Sequence, residues 1–287
     1  MKIGIIGLGL IGGSLAISAK KHIADCLCYG EDISKDHLKQ ALDLNLIDKR
    51  LNKKNYSLMD VIILAVPVDI ACNNIIFLLD RVNENALIID VGSIKKNICQ
   101  KVSLHPKRNQ FLATHPIAGT EFSGPKAAFE KLFYDQSQII CESNKTRSDL
   151  LEWALNWFSQ MSMRVLEMSP QEHDEHIAYV SHLSHISSFM LGKTVIEKEK
   201  DKEAIFDMAG SGFASTVRLA KSSPEMWTPI LIENKKNIVS VLTEYIENLE
   251  NFKMLLQKDN NLDVYNQLKS INKIEKILNG IQNNNNK

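Results

Sequence analysis

The stretch Lys2–Ser14, KIGIIGLGLIGGS, constrains this chain more than any other. An apolar run, Ile3–Ile6, breaks into Gly7-Leu8-Gly9-Leu10-Ile11-Gly12 and resumes as an Ala-containing helical pattern to Lys21. Strand, tight turn and helix start, in that order, suit the pyrophosphate of a dinucleotide. Gly7 permits the turn, Gly9 lets backbone N–H groups approach the phosphates, and Gly12 lets helix and strand lie close. Leu10, Ile11 and Gly12 open the helix, where unpaired amides and the positive dipole end favour an anion.

Lys2 and the apolar run ending in Ala-Ile-Ser-Ala also have the look of a secretory signal. The glycine spacing opposes that reading, as does an acidic residue about 20 positions after the third glycine. Leu27–Gly30 is expected to be the second strand, with Glu31-Asp32 at its tip. A carboxylate there accepts hydrogen bonds from both ribose hydroxyls of NAD and repels the 2′-phosphate of NADP. Asp32 has the better spacing, and no Arg follows in Ile33–Lys35, so the expected cofactor is NAD.

The chain has 287 residues, enough for two domains of about 100–200 residues each. Its 34 basic and 34 acidic residues leave no overall field for nucleic acid or an anionic membrane. No apolar run reaches the roughly 18 residues of a membrane span. The five cysteines are scattered and lack the spacing of a metal site, so core thiols in a reducing cytoplasm are expected. The Asn-rich end, Gln282–Asn286, is expected to be disordered.

Apolar runs at Val61–Ala65, Ala86–Val91 and Phe111–Thr114 alternate with the helical stretches Lys35–Leu44 and Asp69–Leu79. Continuous apolar runs of this kind mark strands buried on both faces, and the alternation predicts a doubly wound parallel sheet. Gln138–Cys141, a helix over Asp149–Met161 and Arg164–Glu167 complete it. Ligands of such sheets bind at the carboxyl ends of the strands. Gly9, Asp32, Val66-Pro67, Ser93 and His115 all follow strand ends, so they should meet in one crevice, with Val66-Pro67 over the cofactor. His115, near a hydroxyl such as Ser93, suits a general base.

After Met168 no strand recurs. Residues 1–168 are expected to form the nucleotide domain and 169–287 an all-helical one. Ser169-Pro170-Gln171-Glu172 has the form of a capping box. The helix that follows carries His173, Asp174, His176, His182 and His185. His173, His176 and His182 could make a metal set by spacing, but no further ligand supports it and no metal is expected. His182 and His185, three apart, share a face and can line a pocket. Arg218, one turn into a helix after Gly210-Ser211-Gly212, can pair with a carboxylate. Ile238, Leu242, Tyr245, Leu249, Phe252 and Leu256 form a stripe of near-heptad spacing. It suits subunit pairing or intrachain packing equally.

Together these motifs resemble the prephenate/arogenate dehydrogenase family of tyrosine biosynthesis, over nearly the whole chain to about Lys258. The resemblance rests on IGLGLIGGS at Ile6–Ser14, Asp32, LAVP at Leu64–Pro67, DVGSIK at Asp90–Lys95 and HPIAGTEFSG at His115–Gly124. It continues in HD at His173–Asp174, SHLSH at Ser181–His185, GSGFASTVRLA at Gly210–Ala220 and SSPEMW at Ser222–Trp227. It implies a Rossmann-type domain followed by a helical dimerisation domain, and NAD-dependent oxidative decarboxylation of prephenate to 4-hydroxyphenylpyruvate. It further implies His115 as base, held in its tautomer by Ser93, and Arg218 on a substrate carboxylate. His182, His185 and Glu121 would complete the pocket, a homodimer would form, and Trp227 would approach the partner's site. Ser184, Ser211 and Ser215 depart from the family pattern. Ser215 replaces a frequent acidic residue, which favours prephenate over the ammonium-bearing arogenate. An N-terminal mutase and a C-terminal regulatory module are not expected, so tyrosine inhibition would act at the active site. A 3-hydroxyacid dehydrogenase fits poorly, because Gly192-Lys193 does not match its lysine motif. A silent NAD-binding sensor would not need Ser93, His115 and Arg218 together.

Overall fold

The computed structural model describes residues 1–120, 122–200, 204–258 and 260–285. Eight strands form one sheet in the order β3-β2-β1-β4-β5-β6-β7-β8. They are β1 (Lys2–Ile6), β2 (Leu27–Glu31), β3 (Lys49–Arg50), β4 (Val61–Leu64), β5 (Leu87–Asp90), β6 (Phe111–Pro116), β7 (Ser137–Cys141) and β8 (Arg164–Met168). Helices α1 (Leu10–His22), α2 (Lys35–Asp43), α3 (Val68–Leu79), α4 (Lys96–Val102) and α5 (Ser148–Gln160) connect them.

The apolar runs split by alternation between two cores, as the strand period of two requires. Ile3, Ile5, Ile63, Ile89 and Leu112 face α1 and α5, where Leu15, Ala16, Ala154, Trp157 and Phe158 cover them. Ile62, Leu64, Ile88 and Phe111 face α3 and α4, against Ile75, Leu78, Ile98 and Val102. Each such fully buried side chain contributes about 1.5–3 kcal/mol of transfer free energy. The sheet ends in charged or exposed edges, Lys49-Arg50 on one side and the largely exposed β8 on the other, which discourages further strand pairing.

The expected doubly wound parallel sheet forms, with one antiparallel junction: β7 runs antiparallel to β6, with His115 opposite Ile139. The cause lies in residues 117–136, whose described residues contain only short 3₁₀ turns. This segment lies over the start of α1, where the Phe129 N–H donates to Ser14 Oγ at 3.1 Å. A Cβ on Gly13 would stand 2.7 Å from the Ala128 side chain. The chain therefore re-enters the sheet from the end at which it left, and no crossover to a parallel neighbour forms. The short edge strand β3 carries no apolar signal and is an addition to the sequence expectation.

Beyond β8 the chain is helical: α6 (Pro170–Ile177), α7 (Leu183–Glu199), α8 (Ser211–Thr216), α9 (Pro224–Glu233), α10 (Lys235–Gln257), α11 (Asn261–Ile271) and α12 (Ile274–Asn285). The capping box of α6 forms, with Ser169 and Glu172 each accepting the other's backbone N–H. A five-residue π turn, Ala178–His182, joins α6 to α7. By compactness the chain falls into two units, Met1–Lys235 and Lys236–Lys287. In the second, Leu249, Met254, Leu256, Leu262, Leu268, Ile271 and Ile277 are exposed. The Asn-rich end, expected to be disordered, continues α12 as far as Asn285. Once Ile274–Leu278 has formed a first turn, adding a residue fixes only one more pair of dihedrals per hydrogen bond. All five cysteines are free; Cys28, Cys99 and Cys141 are buried, Cys26 and Cys72 partly so. No helix among the described residues is long and apolar enough to cross a membrane.

Candidate active site

The glycine turn has the geometry its sequence calls for. Gly7 has φ +94°, and a Cβ on it would lie 2.2 Å from the Ala65 carbonyl oxygen. A Cβ on Gly12 would lie 1.9 Å from the Gly7 carbonyl oxygen. A Cβ on Gly9 would meet nothing within 4 Å, so the chain leaves open space there, beside the first amides of α1. A phosphate fits such a cradle. Asp32 brackets the turn: one carboxylate oxygen accepts the Leu8 N–H at 2.8 Å, the other the Ser34 N–H at 2.8 Å. Glu31 is turned away and accepts a hydrogen bond from the Tyr56 hydroxyl at 2.6 Å. Val66 packs beside Gly7, and the exposed Pro67 caps α3.

The ends of β5 and β6 are cross-linked below the surface. Lys95 is fully buried, and its ammonium bonds to the equally buried Asp90 carboxylate and donates to the Thr114 carbonyl at 2.7 Å. The Thr114 hydroxyl donates to the Asp90 carbonyl at 2.8 Å. Asp90 also accepts the Gly92 N–H at 3.1 Å, which shapes the turn that carries Ser93. A buried pair of this kind, once broken, costs about 3–5 kcal/mol.

His115 is the penultimate residue of β6 and partly exposed. Its Nδ1 lies 2.9 Å from His173 Nε2. His173 Nδ1 lies 2.7 Å from an Asp174 carboxylate oxygen. That carboxylate accepts the backbone N–H groups of Lys95 at 2.8 Å and Lys96 at 2.9 Å. The Asp174 carbonyl accepts from the Asn234 amide at 2.7 Å. Burial pushes His115 well below the usual histidine range, and positive charge on His173, Lys95 or His182 would act in the same direction. Burial also lowers His173, against the opposing pull of Asp174. Both rings are therefore neutral at pH 7. Among the described residues Ser93 makes no hydrogen bond to His115; the partner found in its place is His173.

A second cluster lies on the π turn, α7 and α9. His185 stacks on Trp227 with ring centroids 3.6 Å apart, and His182 meets the same indole edge-on at 5.9 Å. His185 Nδ1 donates to the Ser181 carbonyl at 2.9 Å. His182 Nδ1 lies 3.2 Å from the Asn234 amide nitrogen. The buried atoms His182 Nε2 and Trp227 Nε1 have no hydrogen-bond partner among the described residues. Burial pushes His182 down to about 4 and lowers His185, which the nearby Arg218 charge lowers further. Arg218 is exposed and opens the turn after α8. Ser188 holds that turn against α7: its hydroxyl donates to the Thr216 carbonyl and accepts the Ala220 N–H, both at 3.1 Å. Trp227, expected to approach a partner's site, is 7% exposed and packed on Val68, Ile94 and Ile230 of its own chain. Glu121 lies outside the described residues.

Beyond the glycine turn, the candidate residues fall into two clusters joined by Asn234, which bonds to both Asp174 and His182. Sequence reasoning left out Lys95, Asp90 and the His173–Asp174 pair as site residues. Their signal in the sequence is DVGSIK and HD, motifs whose spacing alone does not show which partners they meet. Among the described residues no three His, Cys, Asp or Glu side chains are arranged to hold a metal.

A nucleotide-type α/β sheet thus carries the glycine turn at β1 and a histidine at the end of β6. Residues 15–167 match the family description "Prephenate dehydrogenase, nucleotide-binding domain", and residues 169–270 match "Prephenate dehydrogenase, dimerization domain". The prephenate dehydrogenase of Bacillus subtilis is 31% identical over 93% of this chain and 73% of its own length. The cyclohexadienyl dehydrogenase of Zymomonas mobilis is 27% identical over 86% of each chain. The crystal structure of prephenate dehydrogenase from A. aeolicus, in complex with hydroxyphenyl propionate and NAD+, superposes with a TM-score of 0.86. It is 27% identical and covers 96% of this chain and 97% of that one. The chain belongs to the prephenate dehydrogenase family, a family of oxidoreductases.

Proposed function

We propose that the chain is an NAD-dependent prephenate dehydrogenase, converting prephenate to 4-hydroxyphenylpyruvate and CO2 and acting as a homodimer. The observation that carries the reading is a neutral His115 at a strand end, with Nδ1 engaged and Nε2 without a hydrogen-bond partner among the described residues. Strands β1 and β6 are three strand spacings apart, about 14 Å, so one extended dinucleotide laid over the strand ends links the glycine turn to His115. NAD supplies the hydride acceptor. The Gly9 cradle and the amides of Leu10, Ile11 and Gly12 hold its pyrophosphate, Asp32 holds the ribose, and Val66, Pro67 and Ser93 line its path.

His115 Nε2 accepts the proton of the substrate's 4-hydroxyl as hydride leaves ring carbon 4. Loss of the ring carboxylate as CO2 makes the ring aromatic, and His115 returns the proton to the phenolic oxygen. No net proton is consumed. Arg218 holds the side-chain carboxylate. His182, His185 and Trp227 form the wall beside it, and the unpaired N–H groups of that wall donate to a polar ligand at little desolvation cost. Glu121 is kept as a pocket residue on the resemblance alone. The ring carboxylate is left without a strong cationic partner, because holding it would stabilise the ground state against CO2 loss.

The family-domain matches support the division at 168/169, and the exposed apolar residues of α10–α12 support pairing through the helical half. The likeness to a cyclohexadienyl dehydrogenase favours arogenate as a second substrate. Steady-state turnover of prephenate and arogenate, each with NAD and NADP, tests the reading. Prephenate with NAD is expected to give the highest kcat/KM. Absence of NADH production from either substrate would overturn the enzyme assignment and favour a binding-only role.

A further inference from the structure

The bonds around His115 point to a residue that the reaction as described does not yet use. Asp174 cannot donate as a carboxylate, so His173 Nδ1 carries the proton of their 2.7 Å bond. A neutral His173 then offers only a lone pair at Nε2. The 2.9 Å bond to His115 is satisfied only if His115 Nδ1 carries its proton. The order of donors fixes both tautomers and leaves the His115 Nε2 lone pair as the free base. The two rings meet edge to face, at 71° between planes, which places an N–H of one ring in line with a ring nitrogen of the other.

The carboxylate behind this chain is itself fixed. Asp174 is 2% exposed and takes backbone N–H groups from Lys95 and Lys96 as well as the His173 ring. The α6 capping box and the Asn234 bond hold the helix that carries both residues. Asp174 needs only the two backbone amides to fasten α6 to the loop after β5. A buried histidine between that carboxylate and His115 adds nothing to the fastening. It gives His115 an oriented, polarisable acceptor.

We propose that His173, backed by Asp174, is the positioning residue of the base: it locks His115 in the Nδ1–H tautomer and stabilises the imidazolium formed during turnover. This rests on the reading of His115 as the base. The role assigned to Ser93 by resemblance passes to His173. The groups that face His115 are His173 and Asp174 from α6, Lys95 from the loop after β5 with Asp90 as its counter-charge, and His182 from the π turn. The Lys95 charge is neutralised by Asp90, so the acceptor at His173 decides which nitrogen of His115 carries the proton.

The test pairs His173→Phe, which fills the ring volume and removes the acceptor, with His173→Gln, whose amide oxygen can still accept from His115. For His173→Phe, kcat is expected to fall about 10–100-fold, while prephenate KM and NAD Kd stay within about twofold, the behaviour of a group that acts only in the transition state. The acid limb of the kcat profile moves to lower pH, because protonated His115 has lost its acceptor. His173→Gln should recover most of the loss. Nitrogen-15 spectra of histidine-labelled protein give a readout independent of turnover: His115 in the unsubstituted chain should show the Nδ1–H tautomer, and His173→Phe should abolish that preference. A His115 found as Nε2–H in the unsubstituted protein overturns the proposal even if His173→Phe does not fold. So does a His173→Phe enzyme with unaltered kcat and acid limb, or equal losses in both variants. A protein that shows the expected tautomer but turns over neither substrate fails the functional reading and leaves the relay standing.

Discussion

The two halves of the candidate site are built on opposite principles. Around β5 and β6 nearly every polar atom is paired: Lys95 with Asp90 and Thr114, His115 with His173, and Asp174 with three N–H groups. Around Trp227, the buried His182 Nε2 and Trp227 Nε1 are unpaired and Arg218 is exposed. Saturated networks in a low-dielectric setting are rigid, and unsatisfied ones are costly until something fills them. The saturated half suits a base that must stay in one orientation. The unsaturated half suits a pocket whose polar partners arrive with the ligand.

Four substitutions or conditions probe that contrast. His115→Asn removes the one reactive atom of the saturated half. It should lower kcat by about 10²–10⁴-fold with NAD affinity retained, and near-normal turnover would take His115 out of its role. Lys95→Met leaves Asp90 buried and unpaired and should cost about 3–5 kcal/mol of stability, read from denaturant unfolding. A loss below about 1 kcal/mol would show the network to be less tightly built than its geometry indicates. Arg218→Gln, on the open half, should leave stability nearly unchanged and raise the prephenate KM roughly 10-fold or more, the worth of one charge-assisted hydrogen bond. An unchanged KM would move the carboxylate site elsewhere. Asp32→Ala should weaken NAD by about 10-fold and relax discrimination against NADP.

The pH dependence of stability carries the same contrast. His182 is held at about 4 in the folded chain, below its ordinary value of 6.5. As pH falls below 6.5 the unfolded chain takes up a proton that the folded chain refuses, so stability drops until about pH 4 and levels off below it. His115, His173 and His185 shift in the same direction. Melting temperature should therefore fall steadily from about pH 6.5 to 4, and His182→Phe should reduce the slope. A flat profile would mean that water or a ligand solvates these rings.

The sheet was largely legible because its cause is local. Apolar runs, glycine spacing and caps each report on a few neighbouring residues, and the long strands and helices α1, α2, α3 and α5 lie where those signals place them, whereas the short α4 gave no such signal. The antiparallel β7 was not legible, since its direction depends on how residues 117–136 lie across α1. The site was legible in its single residues and not in its pairings. Partners such as His115 and His173 are 58 positions apart. No rule of spacing tells whether a histidine will meet a metal, a hydroxyl or a second histidine. Lys95 read as one more charge in a motif, and only the fold shows it enclosed between two strand ends.

The π turn at Ala178–His182 has a consequence for how this chain can vary. It holds one residue more than a regular helix would, and each residue of an α-helix turns the next by about 100°. Deleting a single position there would restore regular winding and rotate all of α7 out of phase. His185 would swing away from Trp227, and Ser188 would release the turn that carries Arg218. The length of this segment is thus under tighter constraint than its composition. Loss of one codon there would disengage the pocket's wall and its cation together.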